Sequence, residues 1–192
     1  MRLLLHICCG PCATALVEAL RAEEYEVTGF FYNPNIYPIE EHERRKEALR
    51  EFSRRAALPV IWGEEDGLPV YLKKVAFAAR NRCFHCYGLR LRKTAEQAAS
   101  QGFDLFTTTL LISPYQNLER LNRAGLVAAR RHRVPFLFRD FRPCYRRSRE
   151  QSRSLGLYRQ SYCGCFFSQL DRARAEAGAA EPGPRHTVAS GR

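Results

Sequence analysis

Short apolar runs alternate along this chain with longer segments in which apolar side chains recur every three or four residues. Leu3-Leu4-Leu5-His6-Ile7 is a continuous apolar run, the pattern of a strand buried on both faces of a parallel sheet. Val27 to Tyr32 and Pro59-Val60-Ile61-Trp62 are rich in β-branched and aromatic residues and predict two further strands. Leu105–Leu110 and Pro135–Phe138 predict two more. Between them lie helical patterns. Pro11 suits a first helical turn ahead of Ala13–Ala22, and Ile39–Ala57 places Leu49, Phe52 and Ala56 on one face. Further helices are predicted at Val70–Arg80, Tyr87–Ala99 and Leu118–Arg131. Strands separated by helices indicate βαβ units, so the fold class is α/β, a mostly parallel sheet with helices on both faces.

Residues 1–173 are expected to form one domain. From Arg174 the chain is Ala, Gly, Pro and Arg, with Val188 its only large aliphatic residue, and residues 174–192 are expected to be a disordered tail. The opening apolar run is too short for a signal peptide, and no stretch approaches the ~18 apolar residues that cross a bilayer. The expected compartment is therefore the reducing cytoplasm, with no membrane partner.

Composition sharpens this picture in two ways. The net charge is +11, and 27 of the 31 basic residues are Arg, which favours a polyanionic partner, nucleic acid first. From Arg139 to Arg159 seven Arg face two acids, interleaved with Phe141, Tyr145 and Tyr158. Arg for phosphates and aromatics for unstacked bases suit single-stranded RNA, although such a run is also what a solvated helix face looks like.

The eight cysteines name the chemistry more narrowly. Cys8-Cys9-Gly10-Pro11-Cys12, Cys83-Phe84-His85-Cys86 and Cys163-Gly164-Cys165 are tight clusters, and Cys144 stands alone. In a reducing compartment, clustered thiols point to metal or electron transfer rather than to structural disulfides. The first cluster falls on the turn after strand one, at a helix N-terminus whose dipole favours thiolate. A nucleotide-binding version of that turn would carry glycines and a Ser or Lys for phosphate, so ATP binding is not expected. Cys83-x-x-Cys86 suits a redox pair, a metal site or a structural knuckle. Cys163-Gly164-Cys165 suits a strained, exchangeable disulfide or two more metal ligands.

The motifs together resemble a known family. His6-x-Cys8-Cys9-Gly10-Pro11-Cys12, Phe31-Tyr32-Asn33-Pro34-Asn35-Ile36-x-Pro38 with Arg44 beyond, and Cys83-x-x-Cys86-Tyr87-x-x-Arg90-Leu91 are similar to the cobalamin-independent epoxyqueuosine reductases, QueH. So are Thr107 to Asn117, Asp140-Phe141-Arg142 and Leu157-Tyr158-Arg159-Gln160-x-Tyr162-Cys163-Gly164-Cys165-x-Phe167-Ser168. The resemblance spans residues 3 to 170.

It implies a Rossmann-like fold and a reductase that removes the epoxide oxygen of epoxyqueuosine at the wobble position of tRNA. It also implies a [4Fe–4S] cluster on Cys8, Cys9, Cys83 and Cys86, with Cys12 a further ligand or a proton relay. Cys163 and Cys165 then form a redox-active pair, and a second, mononuclear metal ion is an open alternative. Epoxide removal consumes two electrons and two protons, so an external low-potential electron donor is expected. Asp140 or Tyr32 are candidate proton sources. Thr108, Ser113, Tyr115 and Gln116 form a polar loop suited to the modified base, although Ser113 before Pro114 equally suits a helix cap. Asn33, Asn35, Arg44 and Arg142 are the remaining candidates for substrate contact. Two rival classes stay open: a metal-free thiol–disulfide oxidoreductase, and a zinc-stabilised RNA-binding module.

Overall fold

A computed structural model describes residues 1–64, 67–77 and 81–180. Four strands, β1 (Arg2–His6), β2 (Glu26–Phe31), β3 (Val60–Trp62) and β4 (Leu105–Thr108), form one parallel sheet in the order β3-β2-β1-β4. Strand β1 is central, with Leu3 level with Val27 on one side and Leu105 on the other. Leu3, Leu4 and Leu5 are all fully buried, which is why that run is continuously apolar rather than alternating.

The helices are α1 (Gly10–Ala22), α2 (Ile39–Ala56), α3 (Leu68–Ala76), α4 (Arg82–Ser100), α5 (Leu118–His132), α6 (Tyr145–Ser154) and α7 (Phe166–Ala180). The chain steps from β1 to β2 to β3 in one direction, then returns across β1 to lay down β4. Right-handed crossovers therefore put α1 and α2 on one face and α4 on the other. α6 packs on α1, and α5 packs on α4. The reversal makes the gap beyond the ends of β1 and β4 a topological switch point, the place where open α/β sheets bind ligands. Both the first cysteine cluster and the Thr108 loop emerge there.

Several elements differ from expectation. The strand beginning at Leu105 stops at Thr108, whose hydroxyl accepts from the Leu110 amide at 3.1 Å and starts a 3-10 turn over Thr109–Ile112. The strand expected at 135–138 is a single bridge between Phe136 and Phe106. Pro135 has no amide hydrogen to extend it, and the Leu137 carbonyl also accepts from the Thr107 hydroxyl at 2.8 Å. Helix α6 had no apolar pattern to reveal it, because it docks through small polar residues. Ser148 and Ser152 are its buried positions, and the Ser148 hydroxyl lies 3.0 Å from that of Thr14 and donates to the Pro11 carbonyl at 2.5 Å. Helix α7 continues past Arg174 to Ala180 on an alanine-rich stretch with high helix propensity. Residues 78–80, the end of the helix expected from Val70, and 181–192, most of the expected tail, lie outside the described residues. No helix among the described residues is long and apolar enough to cross a membrane.

Candidate metal and thiol centres

The sulfurs of Cys8, Cys9 and Cys12 all lie within 4.8 Å of one another. Cys9 caps α1 in an extended conformation, and Gly10 begins the helix against α2. A Cβ on Gly10 would stand 2.4 Å from the Ala48 carbonyl oxygen, so only glycine lets the cluster-bearing turn sit this close. Cys12 follows in the first turn and brings its sulfur to 3.0 Å from that of Cys9, while the sulfurs of Cys8 and Cys9 are 3.7 Å apart. A tetrahedral metal with metal–sulfur bonds of about 2.3 Å has ligand sulfurs roughly 3.8 Å apart, so three soft donors at these spacings fit a thiophilic ion. Three protein ligands rather than four is the pattern that leaves one position for a substrate.

The surroundings divide the three thiols. Hydrogen bonds from Cys12, Cys9 and Thr109, with the nearby Arg45 charge, hold the Cys8 thiol below its ordinary range. Burial pushes Cys9 up, and donation to Cys8 pushes Cys12 up. The Gln160 amide donates to the Cys9 sulfur at 3.0 Å. Beneath them His6 is fully buried, and burial followed by the Arg90 charge lowers its pKa to about 4, so the ring is neutral. Its Nε2 faces the Tyr32 carbonyl at 3.2 Å and must carry the hydrogen. Its Nδ1 therefore accepts from the Thr108 hydroxyl at 2.9 Å.

A second thiol group lies beyond Arg45 and Arg90. Cys83 and Cys86, one turn apart at the start of α4, share a small cavity of about 20 Å³ with Cys163 and Cys165. That volume holds about one water-sized body, so a larger group among the four thiols requires the exposed Cys83 and Cys163 to turn outward. Burial raises Cys86 to about 11. Asn35 donates to the Cys86 sulfur at 3.2 Å and accepts from Arg90 at 2.9 and 3.1 Å. Arg45, 1% exposed, bonds Glu41 at 2.7 Å and the carbonyls of Tyr162 and Cys163 at 2.9 Å each. Gly164 beside it has φ +125°, a backbone conformation that favours glycine. The Tyr71 hydroxyl, buried on the wall of this cavity, has no hydrogen-bond partner among the described residues. Among the described residues only Cys8, Cys9 and Cys12 stand at metal-ligand spacing; these four thiols gather around one cavity without reaching that spacing.

A cleft of about 300 Å³ opens between the two groups, with Cys8, Cys12 and Cys163 on its wall beside Tyr115 and Gln116. It adjoins a space of about 310 Å³ that shares Cys12, Tyr115 and Gln160 and adds Arg149 and Arg159. Tyr115, 82% exposed, meets Tyr145 edge-on at 6.4 Å, and the Arg149 guanidinium lies 5.8 Å from the Tyr145 ring.

The structure thus brings Cys12 to Cys8 and Cys9, and Cys163 and Cys165 to Cys83 and Cys86. Of the polar loop, Ser113, Tyr115 and Gln116 line the cleft, and Gln116 links the Tyr87 hydroxyl at 2.7 Å to the Cys163 sulfur at 3.5 Å. Ser113 accepts from the Tyr115 amide at 3.3 Å, while Asn117 caps α5 through the Arg120 amide at 2.9 Å. Thr108 lies behind the cleft, bonded to His6. Asn33 is fully buried, with its amide on the Ile7 carbonyl at 2.9 Å, and Asn35 sits inside the thiol group. Tyr32 packs parallel to Phe30 at 6.0 Å in the core, and Arg44 lies over Tyr158 at 5.8 Å. Asp140 and Arg142 form an exposed ion pair and line neither space; the Arg142 hydrogen bonds lower the Asp140 pKa to about 2, so at neutral pH it is a carboxylate with no proton to give. Cys144 stands apart, half-buried against the core.

Arg45, Gln160 and Thr109 are site residues that sequence reasoning passed over. Gln160 and Thr109 stood inside the matched motifs. Arg45 was legible as the i+4 partner of Glu41.

A model of the family described as epoxyqueuosine reductase QueH matches residues 3–171. The chain belongs to the QueH family. Its relatives include the epoxyqueuosine reductase QueH of Dehalococcoides mccartyi, 35% identical over 89% of this chain and 94% of the relative. That of Thermotoga maritima is 35% identical over 91% and 93%, and that of Streptococcus pyogenes 34% identical over 86% and 69%. The residues matched by the family model, 3–171, include both thiol groups and the cleft between them.

Proposed function

We propose that this protein reduces epoxyqueuosine to queuosine in the anticodon of tRNA, working in the cytoplasm. The epoxide takes up two electrons and two protons, both C–O bonds break, and an alkene and water result. The observation that carries the reading is the cleft at the switch point, whose wall holds thiols from both groups. Its volume of about 300 Å³ suits one modified base. Family membership supplies the substrate class.

The grouping of the cysteines favours two centres over the single four-ligand set of Cys8, Cys9, Cys83 and Cys86. A [4Fe–4S] cluster on Cys83, Cys86, Cys163 and Cys165 and a metal ion on Cys8, Cys9 and Cys12 would supply single electrons and a Lewis acid, respectively. The chain's own residues do the rest. Arg45 fixes the Cys163 loop, and Gln116 and Gln160 orient sulfurs on the cleft wall. Tyr145, its phenol pushed up by burial and by Tyr115, keeps its proton at neutral pH on that wall. Arg149 and Arg159 neutralise backbone phosphates, and Tyr115 offers a ring for stacking.

The test is anaerobic purification with iron, sulfide and zinc assays, followed by incubation with epoxyqueuosine-containing tRNA and dithionite. Nucleosides are then analysed by mass spectrometry. Iron-loaded protein that forms no queuosine overturns the proposal.

A further inference from the structure

On the face of the sheet opposite α6, a groove of about 200 Å³ runs between α3, α4 and α5. Its centre is apolar, formed by Val70, Leu89, Ala124 and Val127. Val127 is 60% exposed, and Phe77, one turn beyond Lys74 at the end of α3, is 98% exposed. Its rim is basic. Lys74, Arg92 and Arg131 line it, and among the described residues no acidic side chain lines it and none of the three is in an ion pair. By contrast, Arg139, Arg142, Arg146 and Arg147 across the molecule are all paired.

The groove backs directly onto the second thiol group. Tyr71 belongs to both walls, facing the groove on one side and the cavity of Cys83, Cys86, Cys163 and Cys165 on the other. Phe84 and His85, the residues between Cys83 and Cys86, also line the groove. A molecule seated there stands one layer of side chains from the thiols.

We infer that this groove is the docking surface for an acidic electron-transfer protein, a small flavodoxin or ferredoxin. The inference rests on the reduction proposed above, which needs a donor that the chain does not contain. An apolar centre with an unpaired basic rim suits the small, charge-steered encounters of redox partners. RNA fits less well, because the aliphatic centre offers no hydrogen bond to a base edge and the face lies away from Arg149 and Arg159. In each encounter the donor's reduced flavin or cluster would lose one electron, and a cluster held by Cys83, Cys86, Cys163 and Cys165 would gain it. Two encounters supply the two electrons, and water supplies the two protons.

The test titrates a purified acidic flavodoxin and a purified acidic ferredoxin against the full chain, alongside the R92E/R131E and Val127→Asp variants. At least one donor should bind the parent, more weakly as salt rises, and at least tenfold more weakly to both variants. Turnover driven by that donor should fall at least tenfold in the variants, while dithionite-driven turnover stays within twofold. Binding of neither donor, or equal binding to parent and variants, overturns the inference. So does a tenfold loss of tRNA affinity in R92E/R131E, which would make the groove an RNA surface. Donor binding that the variants lose, without any queuosine formed, sinks the reaction and leaves the docking surface standing. Queuosine formed with dithionite, without donor binding, does the reverse.

Discussion

The guanidinium of Arg45 donates to the carbonyl oxygen of Cys163 at 2.9 Å, joining positions 118 residues apart in the chain. The same group reaches Tyr162 and Glu41, so a single buried fork decides where the Cys163-Gly164-Cys165 loop lies against the cleft. Its pKa is raised by the charges of Cys9 and Glu41 despite its burial, so it stays a cation. Glu41 in turn accepts from the Tyr158 hydroxyl, which extends the network to the chain leading into the loop.

Arg45→Lys keeps the charge but loses the fork, and it should destabilise the fold and loosen the loop. Arg45→Ala leaves the buried Glu41 carboxylate without its cationic partner and should cost about 3 kcal/mol. Thermal melts check the stability. Faster alkylation of Cys163 in Arg45→Lys at a temperature where the fold persists checks the loop; an unchanged rate means that other contacts hold it.

The two thiol groups should lose metal independently. Cys8→Ser, Cys9→Ser and Cys12→Ser are expected to remove the same metal, and Cys83→Ser and Cys86→Ser a different share that includes all the inorganic sulfide. Cys163→Ser and Cys165→Ser should behave like the Cys83 and Cys86 variants if all four are ligands. If instead they keep full iron and colour but lose repeated turnover, the pair is a redox dithiol. Cys144→Ser should be silent in every assay.

RNA affinity should depend on Arg149 and Arg159 more than on Arg146 and Arg147. The latter pair are held by Glu150 and Glu18 and line neither part of the cleft. R149E/R159E is expected to weaken tRNA binding at least tenfold and to flatten its dependence on salt, since each neutralised phosphate releases counterions. R146E/R147E should cost less. Filter-binding titrations at two salt concentrations separate these outcomes.

Asp140 sets a pH dependence of known sign. Its folded pKa of about 2 lies below the ordinary 3.8, so its pairing with Arg142 stabilises the fold above about pH 4 and is lost as pH falls towards 2. Asp140→Asn should reduce the slope of stability against pH in that window, by little because the pair is exposed. At neutral pH the same variant should turn over at the parent rate, and a large loss there would return Asp140 to the site.

Sequence and tertiary structure contributed different things. The α/β class was legible because Leu3-Leu4-Leu5 and the helical periodicities of α1, α2, α4 and α5 are local patterns, and the motif set was specific enough to indicate the family. Helix α6 was hidden because its docking face is serine, which carries no apolar signal. The run at 135–138 has strand propensity but forms only a bridge at Phe136, because propensity does not register a proline's missing donor. Which residues are thiols near a turn is written in the chain; which thiols share a centre is not. The resemblance left Cys12 as a further ligand or a proton relay, and spacing left Cys163 and Cys165 as either an exchangeable pair or two more ligands. The crossover that sets β4 beside β1 and the Arg45 fork that pulls residues 162–163 inward sorted the sulfurs into two groups. Contacts between residues more than a hundred positions apart depend on where the sheet reverses and on which charges the core must pair. Those are properties of the folded packing, and no local pattern in the sequence carries them.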